Sequence, residues 1–241
     1  MTDSLPPHPS CLVLIPTYNE RANLPVLVRQ LIALPRVDVL ILDDASPDGT
    51  GEVADALHAE FGDRVRVRHR PGRSGLGAAY VDGMRAALDS GHDLIAQMDA
   101  DLSHDVKYLP QLIAATREAE VAIGSRYVPG GGVKNWPVSR QLLSKYANWY
   151  VRQLTGIPVR DCTAGYRCWR REALARMPLD RLFSNGYAFQ VEMTWEAVRR
   201  SMRIAEVPIV FFERRDGRSK MSWSVIAESV LLPWRLKKPG S

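Results

Sequence analysis

The strongest constraint on how this chain folds is an alternation of two periodicities across its first 124 residues. Five short β-branched and apolar runs read as strands: Cys11–Ile15, Val37–Leu42, Val65–Arg68, Leu94–Met98 and Val121–Ile123. Segments of helical period separate them. Leu24, Leu27, Val28 and Leu31 fall at i, i+3, i+4 and i+7, and Val53, Leu57 and Phe61 at i, i+4 and i+8, spacings that gather side chains on one helix face. Ala78–Leu88 and Leu109–Ile113 continue the pattern less cleanly. Strands and helices alternating at this length imply parallel strands joined by crossovers. That predicts an α/β fold, an open, mostly parallel sheet with helices on both faces. Ligands of such sheets bind beyond the carboxyl ends of the strands, and the polar, motif-like stretches of this chain fall there.

After Gly124 the regularity fades. Gly130-Gly131-Gly132 predicts a flexible loop. Leu143, Tyr146, Ala147, Tyr150, Val151 and Leu154 trace one helical stripe, residues 161–169 read as extended, Val191–Ser201 as helix and Ile204–Phe212 as strand. A C-terminal amphipathic helix is expected from Ser222 to Leu236, apolar at Val225, Ile226, Val230 and Trp234. No repeat, low-complexity tract or linker divides the chain, so a single domain over residues 11–241 is expected behind a Pro-rich lead-in, 1–10. That lead-in lacks the apolar stretch of a signal peptide. No run approaches the roughly 18 apolar residues of a membrane span. Cys11, Cys162 and Cys168 have no metal-binding spacing and read as reduced thiols of a cytosolic protein.

The net charge of +5 has a local origin. Arg214, Arg215, Arg218, Lys220, Arg235, Lys237 and Lys238, against Asp216 and Glu228, account for all of it. A short basic end suits one anionic partner and argues against a nucleic-acid-binding protein.

Chemistry concentrates at the strand ends. Pro16-Thr17-Tyr18-Asn19-Glu20 follows the first strand, and reads either as a strand-to-helix turn or as a cradle for a base and ribose. Dinucleotide enzymes need a glycine-rich turn at this place; the nearest approach, Gly72-Arg73-Ser74-Gly75-Leu76-Gly77, follows the third strand, which argues against NAD. Asp43-Asp44-Ala45-Ser46-Pro47-Asp48-Gly49-Thr50 closes the second strand. Turn chemistry explains Ser46 to Gly49 but not two adjacent acids after an apolar run; an Asp there suits a hydrogen bond to ribose or base. Asp99-Ala100-Asp101 closes the fourth strand. Carboxylates at i and i+2 point to one side and repel unless a cation sits between them, and a hard cation such as Mg²⁺ or Mn²⁺ would in turn take phosphate oxygens. Asp161–Arg167 and Gly186–Glu192 read either as buried turns or, with Arg126, Arg140, Arg214 and Lys220, as the lining of an acceptor site.

In combination and order, these motifs resemble the family 2 glycosyltransferases of GT-A (Rossmann-like) fold, and more narrowly the dolichol-phosphate (polyprenol-phosphate) mannose synthases lacking transmembrane helices. Gly124-Ser125-Arg126-Tyr127 and Val207-Pro208-Ile209 leading to Ser219-Lys220 belong to the same set, and the likeness runs from about Cys11 to Met221. It implies inverting transfer of mannose from GDP-mannose to a dolichyl or polyprenyl phosphate, with another donor such as UDP-glucose as the alternative. Residues 11–124 would form the nucleotide-sugar half and residues 125–241 the acceptor and membrane-facing half. By the same resemblance Pro16, Tyr18, Glu20, Leu42, Asp44 and Asp99-Ala100-Asp101 would hold the donor. Asp99 and Asp101 would hold Mg²⁺ or Mn²⁺, with Ser103 where some relatives carry a metal-contacting Gln. Arg126, Arg140, Arg214 and Lys220 would hold phosphate groups of donor or acceptor, and Asp161 is the candidate if a general base exists. The implied location is the cytoplasmic face of a membrane, peripherally bound, with an integral-membrane protein as a potential partner. The helices at 140–155 and 222–236 would be the contact surfaces.

Overall fold

Strands apolar on both sides need cover on both faces, and β1 (Cys11–Thr17) shows how this chain supplies it. Its Leu12 and Leu14 join Leu40, Leu42 and Ile95 in one core, while Cys11, Val13 and Ile15 join Val39, Ile41, Leu94 and Ala96 in another. The computed structural model describes residues 5–184, 186–213 and 232–236. In chain order β1 is followed by α1 (Leu24–Ile32), β2 (Val37–Asp43), α2 (Thr50–Phe61), β3 (Val65–His69), α3 (Leu76–Leu88), β4 (Leu94–Gln97), α4 (Leu109–Ala115) and β5 (Val121–Ser125). Then come β6 (Gly132–Lys134), α5 (Val138–Thr155), β7 (Arg167–Arg170), α6 (Arg171–Ala175), α7 (Gly186–Arg199), β8 (Ile204–Pro208) and β9 (Val210–Phe212).

Seven strands form one sheet in the order β3-β2-β1-β4-β7-β5-β8. All neighbours are parallel except β7, which lies antiparallel between β4 and β5. Buried residues of α1, α2 and α4 fill one core, and those of α3, α5, α6 and α7 fill the other. From β1 the chain builds outward through β2 and β3, then returns to place β4 on the other side of β1. The strand order reverses between β1 and β4, the place where an open α/β sheet leaves a crevice for ligands.

The first half matches the sequence reading; the second half departs from it in several places, among them the start of α7 at Gly186 instead of Val191. Residues 161–166 are turn and loop, and only Arg167–Arg170 pairs as a strand. The run Ile204–Phe212 breaks at Ile209: β8 stays in the sheet, whereas β9 leaves to pair with β6 in a two-stranded ribbon. Pro208, which has no N–H to extend the ladder, marks the break. The triple glycine is a site of close approach and not a slack loop, since a Cβ on Gly131 would stand 2.5 Å from the Ser125 carbonyl oxygen. On α5 the buried positions are Asn148, Val151 and Thr155, so Leu143 and Tyr146 of the expected stripe face solvent. Of the expected C-terminal helix, residues 222–231 lie outside the described residues; 232–236 are helical, with Leu232 and Leu236 buried and Trp234 exposed.

Candidate active site

A cleft of about 440 Å³ opens at the carboxyl edge of the sheet over the β1/β4 reversal. It gathers Pro16, Tyr18 and Glu20 from the end of β1, Asp44 from β2, and Asp99, Ala100 and Asp101 from β4. Arg126 joins from the end of β5 and Arg140 from the first turn of α5. Nine residues singled out in the sequence therefore share one cavity. Three others do not line it. Leu42 is a correction: it is fully buried and packs on Gly83 of α3, where a Cβ would come within 2.5 Å of its Cδ1, so its side chain serves the core. Ser103 is also fully buried. Its N–H donates to Asp101 Oδ1 at 3.0 Å and its carbonyl accepts from Phe212 N–H at 3.2 Å, which makes it a support of the Asp101 turn. Asp161 lies wholly beneath the surface. Arg214 and Lys220 lie outside the described residues.

Each strand end turns sharply to expose its polar group. Asn19, Ala45 and Leu102 adopt left-handed backbone, with φ of 60°, 51° and 61°. For a residue with a Cβ this costs about 1–2 kcal/mol, and such strain gathers at functional sites. The adjacent acids divide the work at β2. Asp43 accepts from Thr17 Oγ1 at 3.0 Å, Ser46 N–H at 3.1 Å and Ser46 Oγ at 2.6 Å, tying β1, β2 and the turn together. Asp44 is left to face the cleft, ion-paired to Arg70.

At the end of β4, Asp99 N–H donates to His104 Nδ1 at 3.2 Å. The His104 ring is stacked on Tyr166 and met edge-on by Phe211. Tyr80 Oη lies 3.4 Å from Asp99 Oδ1; burial first, and the Asp99 charge second, push the Tyr80 hydroxyl well above its usual pKa, so it stays a donor. Gly165 lies over the same carboxylate, where a Cβ would stand 3.7 Å from both Asp99 oxygens.

Asp161 grips Arg126 from below: Nε to Oδ2 and Nη2 to Oδ1, both 2.7 Å, with the Arg126 N–H on Oδ2 at 2.9 Å. Burial drives the Asp161 carboxyl up, but the Arg126 guanidinium and these hydrogen bonds outweigh it and hold the pKa below the usual value. A buried, bidentate carboxylate orients a cation and is not a free base. Arg140 is held by Glu213 at 2.8 Å and lies over the Trp136 ring at 4.1 Å.

The cleft also contains Arg73, which the sequence does not single out, and Gln190, from the Gly186–Glu192 stretch that reads either as a buried turn or as the lining of an acceptor site. Arg73 stands over the Tyr18 ring at 4.4 Å. It lies in the stretch weighed only as a failed dinucleotide motif, and its charge among glycines was the available signal. Gln190 lines the cleft from α7 while almost wholly buried, and neither atom of its side-chain amide has a hydrogen-bond partner among the described residues. Such orphans in a native interior call for an explanation, and a polar ligand supplies one.

Comparison with known proteins agrees with this architecture. The model of the family "Glycosyl transferase family 2" matches residues 12–177. The chain is 50% identical over 221 residues to the polyprenol monophosphomannose synthase of Mycolicibacterium smegmatis, covering 91% of this chain and 83% of that protein. It is 48% identical over 221 residues to the undecaprenyl-phosphate mannosyltransferase of Micrococcus luteus, covering 91% and 90%. Among solved structures, the glucosyl-3-phosphoglycerate synthase of Mycobacterium tuberculosis with Mg²⁺ and UDP superposes with a TM-score of 0.68 at 21% identity, over 96% of this chain and 82% of that one. The mannosyl-3-phosphoglycerate synthase of Rubrobacter xylanophilus gives 0.66 at 18% identity, over 95% and 72%. By sequence and by fold, the chain belongs to glycosyl transferase family 2 and is a glycosyltransferase of the GT-A type.

Proposed function

We propose that this glycosyltransferase moves mannose from GDP-mannose to a polyprenyl phosphate, with inversion at the anomeric carbon, on the cytoplasmic face of a membrane. The observation that carries the reading is one cleft holding an acidic pair at a strand end, Asp99 and Asp101, beside two oriented guanidinium groups, Arg126 and Arg140. The first pair suits a cation-bound diphosphate and the second suits a phosphate acceptor. The names of the two mannosyltransferase relatives support the sugar and the lipid. Among the described residues no helix is long and apolar enough to cross a membrane, so contact with the lipid would be peripheral.

The donor set fits a hard divalent ion. The candidate ligands are carboxylate oxygens, and among the described residues no group of three or more His, Cys, Asp and Glu side chains converges. Mg²⁺ is commonly held this way, by one or two carboxylates with substrate phosphates completing its shell. Asp99 and Asp101 would hold it, and when bound it supplies Lewis-acid stabilisation of a departing diphosphate.

The chain's own groups do the rest. Tyr18, with Arg73 over its ring, offers a face for the base, and Asp44 and Glu20 offer acceptors to nucleoside hydroxyl or N–H groups. Gln190 would hydrogen-bond a sugar hydroxyl. Arg126, fixed by Asp161, and Arg140, fixed by Glu213 and Trp136, would position the acceptor phosphate and offset repulsion between two phosphate-bearing substrates. A phosphate monoester is already an anion near pH 7, with a second pKa of about 6. The attack therefore needs no protein base, in keeping with Asp161 being sequestered on Arg126. A panel of radiolabelled sugar nucleotides with polyprenyl phosphate, run with Mg²⁺, Mn²⁺ or chelator, tests the reading. The expected result is metal-dependent label in the lipid phase from GDP-mannose; label from UDP-glucose instead would overturn the donor assignment.

A further inference from the structure

Arg73 reaches the cleft from the loop between β3 and α3, and its guanidinium carbon stands 4.4 Å from the centroid of the Tyr18 ring. Among the described residues it has no hydrogen-bond or ion-pair partner, and the ring is what it rests on. Its neighbours in sequence are engaged: Arg70 is ion-paired to Asp44 and lies 3.5 Å from Asp82, and Arg68 holds Asp82 at 2.7 Å. The loop is fixed at both roots. Arg70 N–H donates to the Asp43 carbonyl at 2.8 Å, and the Gly75 carbonyl accepts from Ala79 N–H at 3.1 Å. Arg73 and Ser74, at the tip, are exposed.

The ring that Arg73 covers is the one aromatic face offered to a base by the end of β1. Stacked layers lie about 3.5 Å apart, so a gap of 4.4 Å leaves no room for a base between guanidinium and ring. A cation over an exposed ring is held weakly, and a base that takes its place frees five N–H donors set in a rigid fork. Asp44 lines the same cleft as a fixed carboxylate, with Arg70 on its Oδ1. Guanine suits this pair of charges. Its N1–H and N2–H groups suit a carboxylate, and O6 and N7 on the adjoining edge suit a guanidinium fork. Uracil has no N7, and adenine carries a donor where guanine has O6.

We propose that Arg73 is a specificity-determining residue of the donor site: an incoming guanine displaces it from the Tyr18 ring, and the freed guanidinium turns to the O6 and N7 edge while Asp44 takes the N–H edge. The proposal rests on the assignment of a guanine nucleotide as donor and deepens it, by naming the group that separates guanine from uracil.

Calorimetric titration of the full chain with GDP, 7-deaza-GDP and UDP, in Mg²⁺ and without lipid, tests it on wild type and Arg73→Ala. Wild type prefers GDP to UDP, and binds 7-deaza-GDP, in which carbon replaces N7, on the order of 10-fold more weakly than GDP. Arg73→Ala unfolds at the wild-type temperature and loses on the order of 10- to 100-fold in GDP affinity. Its UDP affinity is unchanged or raised, because Tyr18 is uncovered, and it binds GDP and 7-deaza-GDP alike. Equal losses for GDP and UDP would put the Arg73 charge on the diphosphate and overturn the proposal. A GDP preference that survives Arg73→Ala overturns it too, and leaves the donor assignment standing. Wild type binding UDP more tightly than GDP would sink the donor assignment and this proposal together.

Discussion

At the scale of single residues, side chains that face the cleft are distinct from side chains that hold others in place. Asp161 belongs to the second class, and its depressed pKa fixes the sign of a pH effect. A carboxyl with a lower pKa folded than unfolded contributes stability that is fully present above the unfolded value of about 3.9 and is lost as pH falls through the folded value. Asp161→Asn, which leaves Arg126 buried without its counter-charge, should cost about 3 kcal/mol at neutral pH. Urea unfolding at pH 7 and near pH 3 would show that gap narrowing in acid; a gap that widens in acid would contradict the assignment. Gln190 belongs to the first class. Its orphaned amide in a buried wall predicts that Gln190→Leu keeps or raises thermal stability while sugar transfer falls about 10–100-fold. Unchanged turnover would remove Gln190 from the site.

At the scale of elements, legibility followed locality. The β1–β5 half was readable because β1, β2, β4 and β5 are apolar runs buried on both faces and α1 and α2 carry a helical stripe, so local pattern identifies them. The antiparallel insertion of β7, the break at Ile209 and the role of the triple glycine are set by long-range contacts that leave no local period. Gly131 illustrates this: its composition suggests slack, yet its place against the Ser125 carbonyl makes it a point of close approach. Gly131→Ala should therefore destabilise the fold by about 1–3 kcal/mol by pushing β6 away from β5, read as a lower midpoint in thermal unfolding. Gly132, where a Cβ would meet nothing within 4 Å, should accept alanine with a smaller loss. Cleft-lining residues followed the same rule. Tyr18, Asp44, Asp99 and Asp101 lie at the ends of predicted strands, whereas Arg73 comes from an irregular loop, and Gln190 lies in the Gly186–Glu192 stretch that the sequence left open between a buried turn and a site lining, in a helix that starts five residues before the pattern placed it.

At the scale of the whole molecule, the two halves of the chain both reach one sheet edge. The strand reversal between β1 and β4 opens the cleft, the acids at β1, β2 and β4 occupy one side, and the second half closes the other with Arg126, Arg140 and Gln190. The central claim is that this cleft transfers mannose to a lipid phosphate through charge stabilisation, without a protein base. The most direct measurement is the single-turnover rate from GDP-mannose to polyprenyl phosphate for wild type beside Asp101→Asn, with folding checked by circular dichroism. The account predicts a fully folded variant slowed by roughly 100- to 1,000-fold or more; a folded Asp101→Asn enzyme turning over near the wild-type rate would contradict it.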